Sequence, residues 1–346
     1  MSDVRLTSCS QLVNLSRRQW LHASSAIAVA GLELNPGANC HAAEQNVAQV
    51  AITLDLEMAR NFPRWEDTHW DYQKGNLDLA SKEYSVRAGE LVKQYGGPIH
   101  YFCVGSALEQ EDVSWLQELA EAGHPIGNHT YDHVNLLAKN PEELQYRFRR
   151  APWLIAGQEV HETIRQYIQL TTRALKSRLN VDNRGFRTPG GFGNGLTDRE
   201  DLQQMLLDLG FSWVSSKYPM HLNTEPQQQP TTKINVSIVA AQREAQPFVY
   251  PTGLIEIPMS PVSDIGGFRN GRWQLEWFME AIRRAIQWTI EQGAVFDFLA
   301  HPSCLGVVDP EMRTLKMICE MVQQAGPKAQ LVDLDTIAAR APKKAS

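Results

Sequence analysis

Basic charge is scarce in this chain. Its 33 Lys and Arg are outnumbered by 39 Asp and Glu, a net charge of -6, which argues against a nucleic-acid groove, since that needs a basic stripe. There is no polybasic tail, no low-complexity tract and no internal repeat. Long apolar runs are also missing; the one near the N-terminus, Ala23 to Leu32, is too short to span a bilayer. Cysteine is sparse. Beyond residue 43 only Cys103, Cys304 and Cys319 remain, so any disulfide would leave one thiol over. Cys103 follows an apolar run and Cys319 lies in a helical pattern, which favours buried free thiols. What is present is a chain of 346 residues, 43% apolar and 21% charged. That is enough for one large core or two modest ones, and single α/β barrels commonly reach this length.

The first residues read as an address rather than as fold. Ser16-Arg17-Arg18-Gln19-Trp20-Leu21 has the form of a twin-arginine signal, followed by the apolar run and by the small residues Ala38, Ala42 and Ala43 as cleavage points. Residues 1–43 are therefore expected to be a cleaved export signal, with the product in the periplasm or cell envelope. Asn39-Cys40 lacks the apolar residue expected three positions before a lipidated cysteine.

From residue 44 onward, short apolar runs alternate with helical patterns. Strands are expected at 50–54, 99–104, 125–127, 184–187, 211–215, 254–257, 294–300 and 330–334. Helices are expected at 85–95, 112–122, 197–208, 273–291, 310–324 and 335–340. A long helical stretch over 141–179 is interrupted by Pro152. The alternation predicts a single domain at 44–346: an incomplete or distorted (β/α) barrel of about seven parallel strands. Two stretches, at about 60–79 and 217–252, read as loop insertions draped over the active face. Thr188-Pro189-Gly190-Gly191 reads as a turn. Barrels of this kind carry their working residues at the C-terminal strand ends. Asp55, His129, Arg187, Ser215 and His301 each end or directly follow an apolar run.

Those residues suit one chemistry. His129 and His133, four apart on one expected helical turn, can share a metal ion. Asp55 and Glu57, at i and i+2 of a strand, face the same side; one can bind metal while the other stays free as a base. Arg187 would keep such a carboxylate ionised and oriented. His301, stiffened by Pro302, is suited to protonating a leaving group. Trp65, Trp70 and Tyr72 form either a stacking platform for a sugar ring or packing of their own loop. The aromatics of 273–288 read as core.

In this order, Asp-x-Glu, His-Thr-x-x-His, Arg-Thr-Pro-Gly and Leu-x-His-Pro resemble the NodB-homology polysaccharide deacetylases, carbohydrate esterase family 4, over roughly Val47 to Ala339. The resemblance implies metal-dependent removal of an acyl group from an amide or ester. It implies Asp55 as base, His129 and His133 as ligands, Arg187 as the residue orienting the base and His301 as acid. The chain departs from the commonest first motif, Thr-Phe-Asp-Asp, because Leu56 occupies the usual ligand slot. Glu57 then becomes the third ligand, as in a divergent branch with an Asp-x-Glu motif. The expected cofactor is one divalent ion, zinc first, with cobalt, nickel or manganese as alternatives. The backbone N–H of Tyr131 is the candidate oxyanion donor, and Pro189 a candidate substrate contact. Asp264 is the candidate partner of His301, with Asp297 on the strand four residues before it. The leading expectation is a deacetylase of an N-acetylated glycan or envelope polymer. A hydrolase of a small linear or cyclic amide and a silent carbohydrate-binding protein are the alternatives. The expected partners are substrate alone, without nucleic acid or a stable membrane span, and the sequence leaves the oligomeric state open.

Overall fold

Nine strands build one sheet in this computed structural model, which describes residues 46–58 and 74–341. The twin-arginine segment and the loop aromatics Trp65, Trp70 and Tyr72 lie outside the described residues. The strands are β1 (Ala48–Leu56), β2 (His100–Cys103), β3 (Ile126–Asn128), β4 (Gly185–Phe192), β5 (Trp213–Lys217), β6 (Phe248–Val249), β7 (Ile255–Glu256), β8 (Val295–Ala300) and β9 (Ala329–Leu331). Their spatial order is β6-β7-β5-β4-β3-β2-β1-β8, with β9 on the start of β1. Every pairing is parallel except the short β6–β7 ribbon. The path runs from β6 to β8 without those ends pairing, so the barrel is incomplete, as expected.

β1 explains why its sequence lacks alternation. All nine residues are buried, as in a parallel strand covered on both faces. It pairs with β2 along 53–56 and with β8 along 49–54. The main core packs its side chains and those of β8, such as Ile52, Leu54, Phe296 and Phe298, against the outer helices. Truncating one such phenylalanine to alanine costs roughly 3–5 kcal/mol in a packed core. The three cysteines of the barrel are free and buried.

Several expected boundaries move for local reasons. The first helix runs Leu79–Gln94, not from 85, because the Asp78 carboxylate caps it by accepting the Ser81 N–H at 2.8 Å. The stretch 141–179 breaks into short turns at Pro141–Leu144, Tyr146–Arg150 and Pro152–Ile155 before the regular helix Val160–Leu179. The supposed insertion at 217–252 is largely ordered: it holds a helix, Thr232–Glu244, capped by Thr231, and then β6. Thr188 to Gly191 is not a turn after β4 but part of it, with a register shift against β5 between Arg187 and Phe192.

Glu256 of β7 locks this side of the sheet. Its buried carboxylate accepts the backbone N–H groups of Ser216 and Lys217 at 2.7 and 2.8 Å, and the hydroxyls of Ser216 and Tyr250 at 2.6 and 2.7 Å. Burial still pushes its pKa above the ordinary value, against those four hydrogen bonds. Among the described residues no helix is long and apolar enough to cross a membrane.

Candidate active site

The strand ends converge on a cavity of about 500 Å³ lined by Asp55, Glu57, Lys74, His129, His133 and His301, among others. Asp55 closes β1, His129 follows β3 and His301 follows β8. The parallel register therefore carries residues far apart in the chain to one mouth.

His129 and His133 do not share a helical turn. They are presented by an irregular turn in which Thr130 and His133 take left-handed backbone angles, φ 59 and 55. That conformation is rare for a β-branched residue such as threonine. It is held from several sides. The Thr130 N–H donates to Asn128 Oδ1 at 2.9 Å, and Thr130 Oγ1 accepts from Val134 N–H at 2.9 Å. Asn128 itself is anchored to Ile168 O at 2.9 Å.

The His129 ring is oriented from behind. Its Nδ1 lies 3.0 Å from the Arg187 carbonyl oxygen. A carbonyl only accepts, so Nδ1 carries the proton and Nε2 keeps its lone pair toward the cavity. That Nε2 is 3.7 Å from Asp55 Oδ2 and 3.9 Å from Glu57 Oε2. His133 Nε2 is 2.7 Å from the same Glu57 oxygen. Donor atoms of Glu57, His129 and His133 all lie within 4.8 Å of one another. Burial lowers the pKa of both imidazoles, to about 4 for His133, against the opposing pull of Glu57 on each and of Asp55 on His129. Burial would raise Glu57, but His133 and then Lys74 pull its carboxyl well below the usual range. Neutral imidazoles and an ionised carboxylate are the protonation states a divalent ion requires, so this donor set fits one.

Arg187 lies fully buried between two carboxylates. Nη1 donates to Asp55 Oδ1 at 3.2 Å and to Thr53 Oγ1 at 2.7 Å; Nη2 donates to Asp297 and to Ser215 Oγ at 3.2 Å. Its guanidinium sits 4.3 Å above the Phe102 ring, which is itself stacked on His100. Asp297, on the strand four residues before His301, serves Arg187: β8 beside β1 sets it against Thr53, and Arg187 reaches both from β4.

His301 finds its partner in Asp264. Nδ1 is 3.0 Å from Asp264 Oδ1, and the His301 backbone N–H donates to Oδ2 at 2.7 Å. Burial would lower the His301 pKa, but Asp264, helped by Glu57 and Asp55, raises it above the ordinary value. Asp264 opens one turn of π-helix, Ile265–Asn270, that lines the cavity with Ile265, Gly266, Arg269 and Asn270. Such turns recur at functional sites, and no local motif marks this one.

Two named candidates stand apart from the cavity wall. The Tyr131 phenol donates to Glu109 at 2.6 Å, and neither Tyr131 nor Pro189 lines the cavity. Thr188, Gly190 and Gly191 form that lip instead. A β-carbon on Gly191 would lie 2.6 Å from Tyr218 Cβ, so only glycine lets the strand pass Tyr218 there. Sequence reasoning also missed Lys74, whose ammonium pairs with Glu57 Oε1 inside the cavity.

Residues 72–210 match the family model "Polysaccharide deacetylase". Over that stretch, two fifths of its length, the chain is similar to the polysaccharide deacetylases. The match contains Lys74, His129, His133 and Arg187, while Asp55, Glu57 and His301 lie outside it and join through the sheet. No curated protein matches the sequence. Solved structures share the fold. One is a Mycobacterium smegmatis protein assigned as a polysaccharide deacetylase, with TM-score 0.60 and 16% identity, covering 91% of this chain and 99% of that one. Another is the Pseudomonas aeruginosa PAO1 protein of the same assignment, with TM-score 0.54 and 15% identity over 84% and 89%. PuuE allantoinase is similar to a like degree, with TM-score 0.55 and 15% identity over 86% and 91%.

Proposed function

We propose that this chain is a member of the polysaccharide deacetylase family and a metal-dependent hydrolase that removes acetyl groups from an N-acetylated glycan or cell-envelope polysaccharide. The observation that carries this reading is the opposition, across one cavity, of a carboxylate held by Arg187 and an imidazole held by Asp264. Glu57, His129 and His133 would hold the ion, zinc first among the candidates. Bound there, it would supply Lewis-acid polarisation of the carbonyl and a more acidic water. Asp55, kept beside a fixed cation, accepts the proton of the attacking water. His301 gives a proton to the departing amine or alcohol and is restored through Nε2, while Asp264 holds the opposite ring nitrogen. Arg187 does no proton transfer; it orients Asp55. A pure carbohydrate-binding protein would have no use for this acid–base pair.

The size of the cavity favours one further reading. A volume of about 500 Å³ suits a small molecule as well as one sugar unit, so a small linear or cyclic amide is the second candidate substrate, and one structural relative is an allantoinase. Export by the twin-arginine route belongs to the same proposal, since envelope polymers lie beyond the cytoplasm.

The test is acetate release by the metal-loaded protein from chitooligosaccharides, peptidoglycan and acetylated xylan, run beside ring opening of small cyclic amides. Acetate release that vanishes in Asp55→Asn supports the first reading. Ring opening without acetate release selects the second. No turnover on any of them, with metal bound, overturns both.

A further inference from the structure

Lys74 is not a surface lysine that happens to reach the site. It is buried, and its ammonium pairs with Glu57 Oε1. Its backbone is tied to the end of β1, since the Met58 N–H donates to the Lys74 carbonyl at 3.0 Å. The next residue, Gly75, runs so close to the Ser106–Ala107 backbone that a β-carbon there would lie 2.5 Å from Ala107 N. Gln110 Nε2 adds a bond to the Gly75 carbonyl at 3.3 Å. The turn that delivers Lys74 is therefore built. Lys74 lies on Glu57 Oε1, with His301 Nε2 at 3.6 Å from the same oxygen, and His133 lies on Oε2 at 2.7 Å.

We propose that Lys74 is a resident counter-cation that competes with the divalent ion for Glu57, making the site bind its metal more weakly and more reversibly than two histidines and a carboxylate otherwise would. The inference rests on the metal reading given above. A dication among Glu57, His129 and His133 would sit across one carboxylate from a fixed positive charge. In a buried site that repulsion is scarcely screened. The opposing benefit, a Glu57 side chain held in one rotamer, is the smaller effect. In the metal-free protein the same ammonium neutralises a carboxylate that would otherwise be buried without a fixed cation.

The experiment compares zinc affinity, by chelator competition, and metal-free melting temperature in the wild type, Lys74→Met, Lys74→Gln, Lys74→Arg and Glu57→Gln. Lys74→Met and Lys74→Gln are expected to bind zinc at least tenfold more tightly and to melt earlier without metal. Lys74→Arg should stay near the wild type in both. If one neutral variant fails to fold, the other carries the comparison. Neutral variants binding zinc equally or more weakly, with Glu57→Gln still losing it, overturn the role of Lys74 alone. Absence of zinc binding by the wild type and every variant overturns the metal reading beneath it.

Discussion

Asp264 grips His301 twice, taking the ring nitrogen at 3.0 Å on one oxygen and the backbone N–H at 2.7 Å on the other. The bond to the ring stabilises the imidazolium and raises its pKa; the bond to the backbone fixes where the ring starts. The sign for catalysis follows. A general acid works while protonated, so turnover holds below the raised pKa of His301 and falls as pH rises through it. Asp264→Asn removes the charge that raises it. The alkaline limb of the kcat profile should then move to lower pH. A limb that stays in place would mean His301 is not the acid.

Asp55→Asn changes one oxygen for an amide in nearly the same volume, so the fold should persist. Turnover should fall by about 10²–10⁴-fold, the usual range for loss of a positioned general base. Circular dichroism and a rate assay on the same preparation check both halves.

Arg187→Met should be severe for stability as well as rate. It leaves Asp55 and Asp297 buried without their shared cation. Breaking a buried pair from one side costs about 3–5 kcal/mol, readable as a lower urea midpoint. Arg187→Lys should recover only part of this, because an ammonium cannot present two nitrogens to two carboxylates at once.

Metal content should track Glu57, His129 and His133 and ignore Asp55. Alanine at either histidine should abolish stoichiometric zinc, measured by elemental analysis after dialysis, whereas Asp55→Asn should retain it. Loss of zinc in Asp55→Asn would move that aspartate into the ligand set.

Glu256 gives a test away from the cavity. Its folded pKa lies above the ordinary carboxyl value. Its contribution to stability is therefore full below the unfolded pKa and is lost as pH rises through the folded one. Glu256→Gln removes that titration. The variant should show a flatter stability profile from about pH 4.5 upward than the wild type, in denaturant melts across pH.

The parts legible in the sequence are those whose signal is local. The buried runs that became β1 and β8 needed no partner to be recognised, and His129, His133 and Asp55 stood at their ends. What was hidden depends on neighbours that only the sheet supplies. Asp297 stands on the strand four residues before His301, and nothing in that spacing points to its partner Arg187, which reaches it from β4, more than a hundred residues earlier. Lys74 carried no motif, and its role appears only once Gly75 is seen pinned against Ala107. The histidine turn was misjudged in form, because spacing of four suggests a helix and says nothing of a threonine forced to positive φ. The helix at 232–244 was hidden by the polar, proline-bounded stretch before it.

The position of β8 beside β1 has a consequence for the order in which the site can come into being. Glu57, His129 and His133 all belong to the first part of the chain, and the segments that set them, β1 to β4 with the helix Val160–Leu179, precede β5. The acid, and the carboxylate that shares Arg187 with Asp55, arrive only with β8. A nascent chain ending after β5 would already carry all three candidate metal ligands, yet would lack both His301 and Asp297. The candidate ion site and the candidate acid thus come from opposite ends of the described chain.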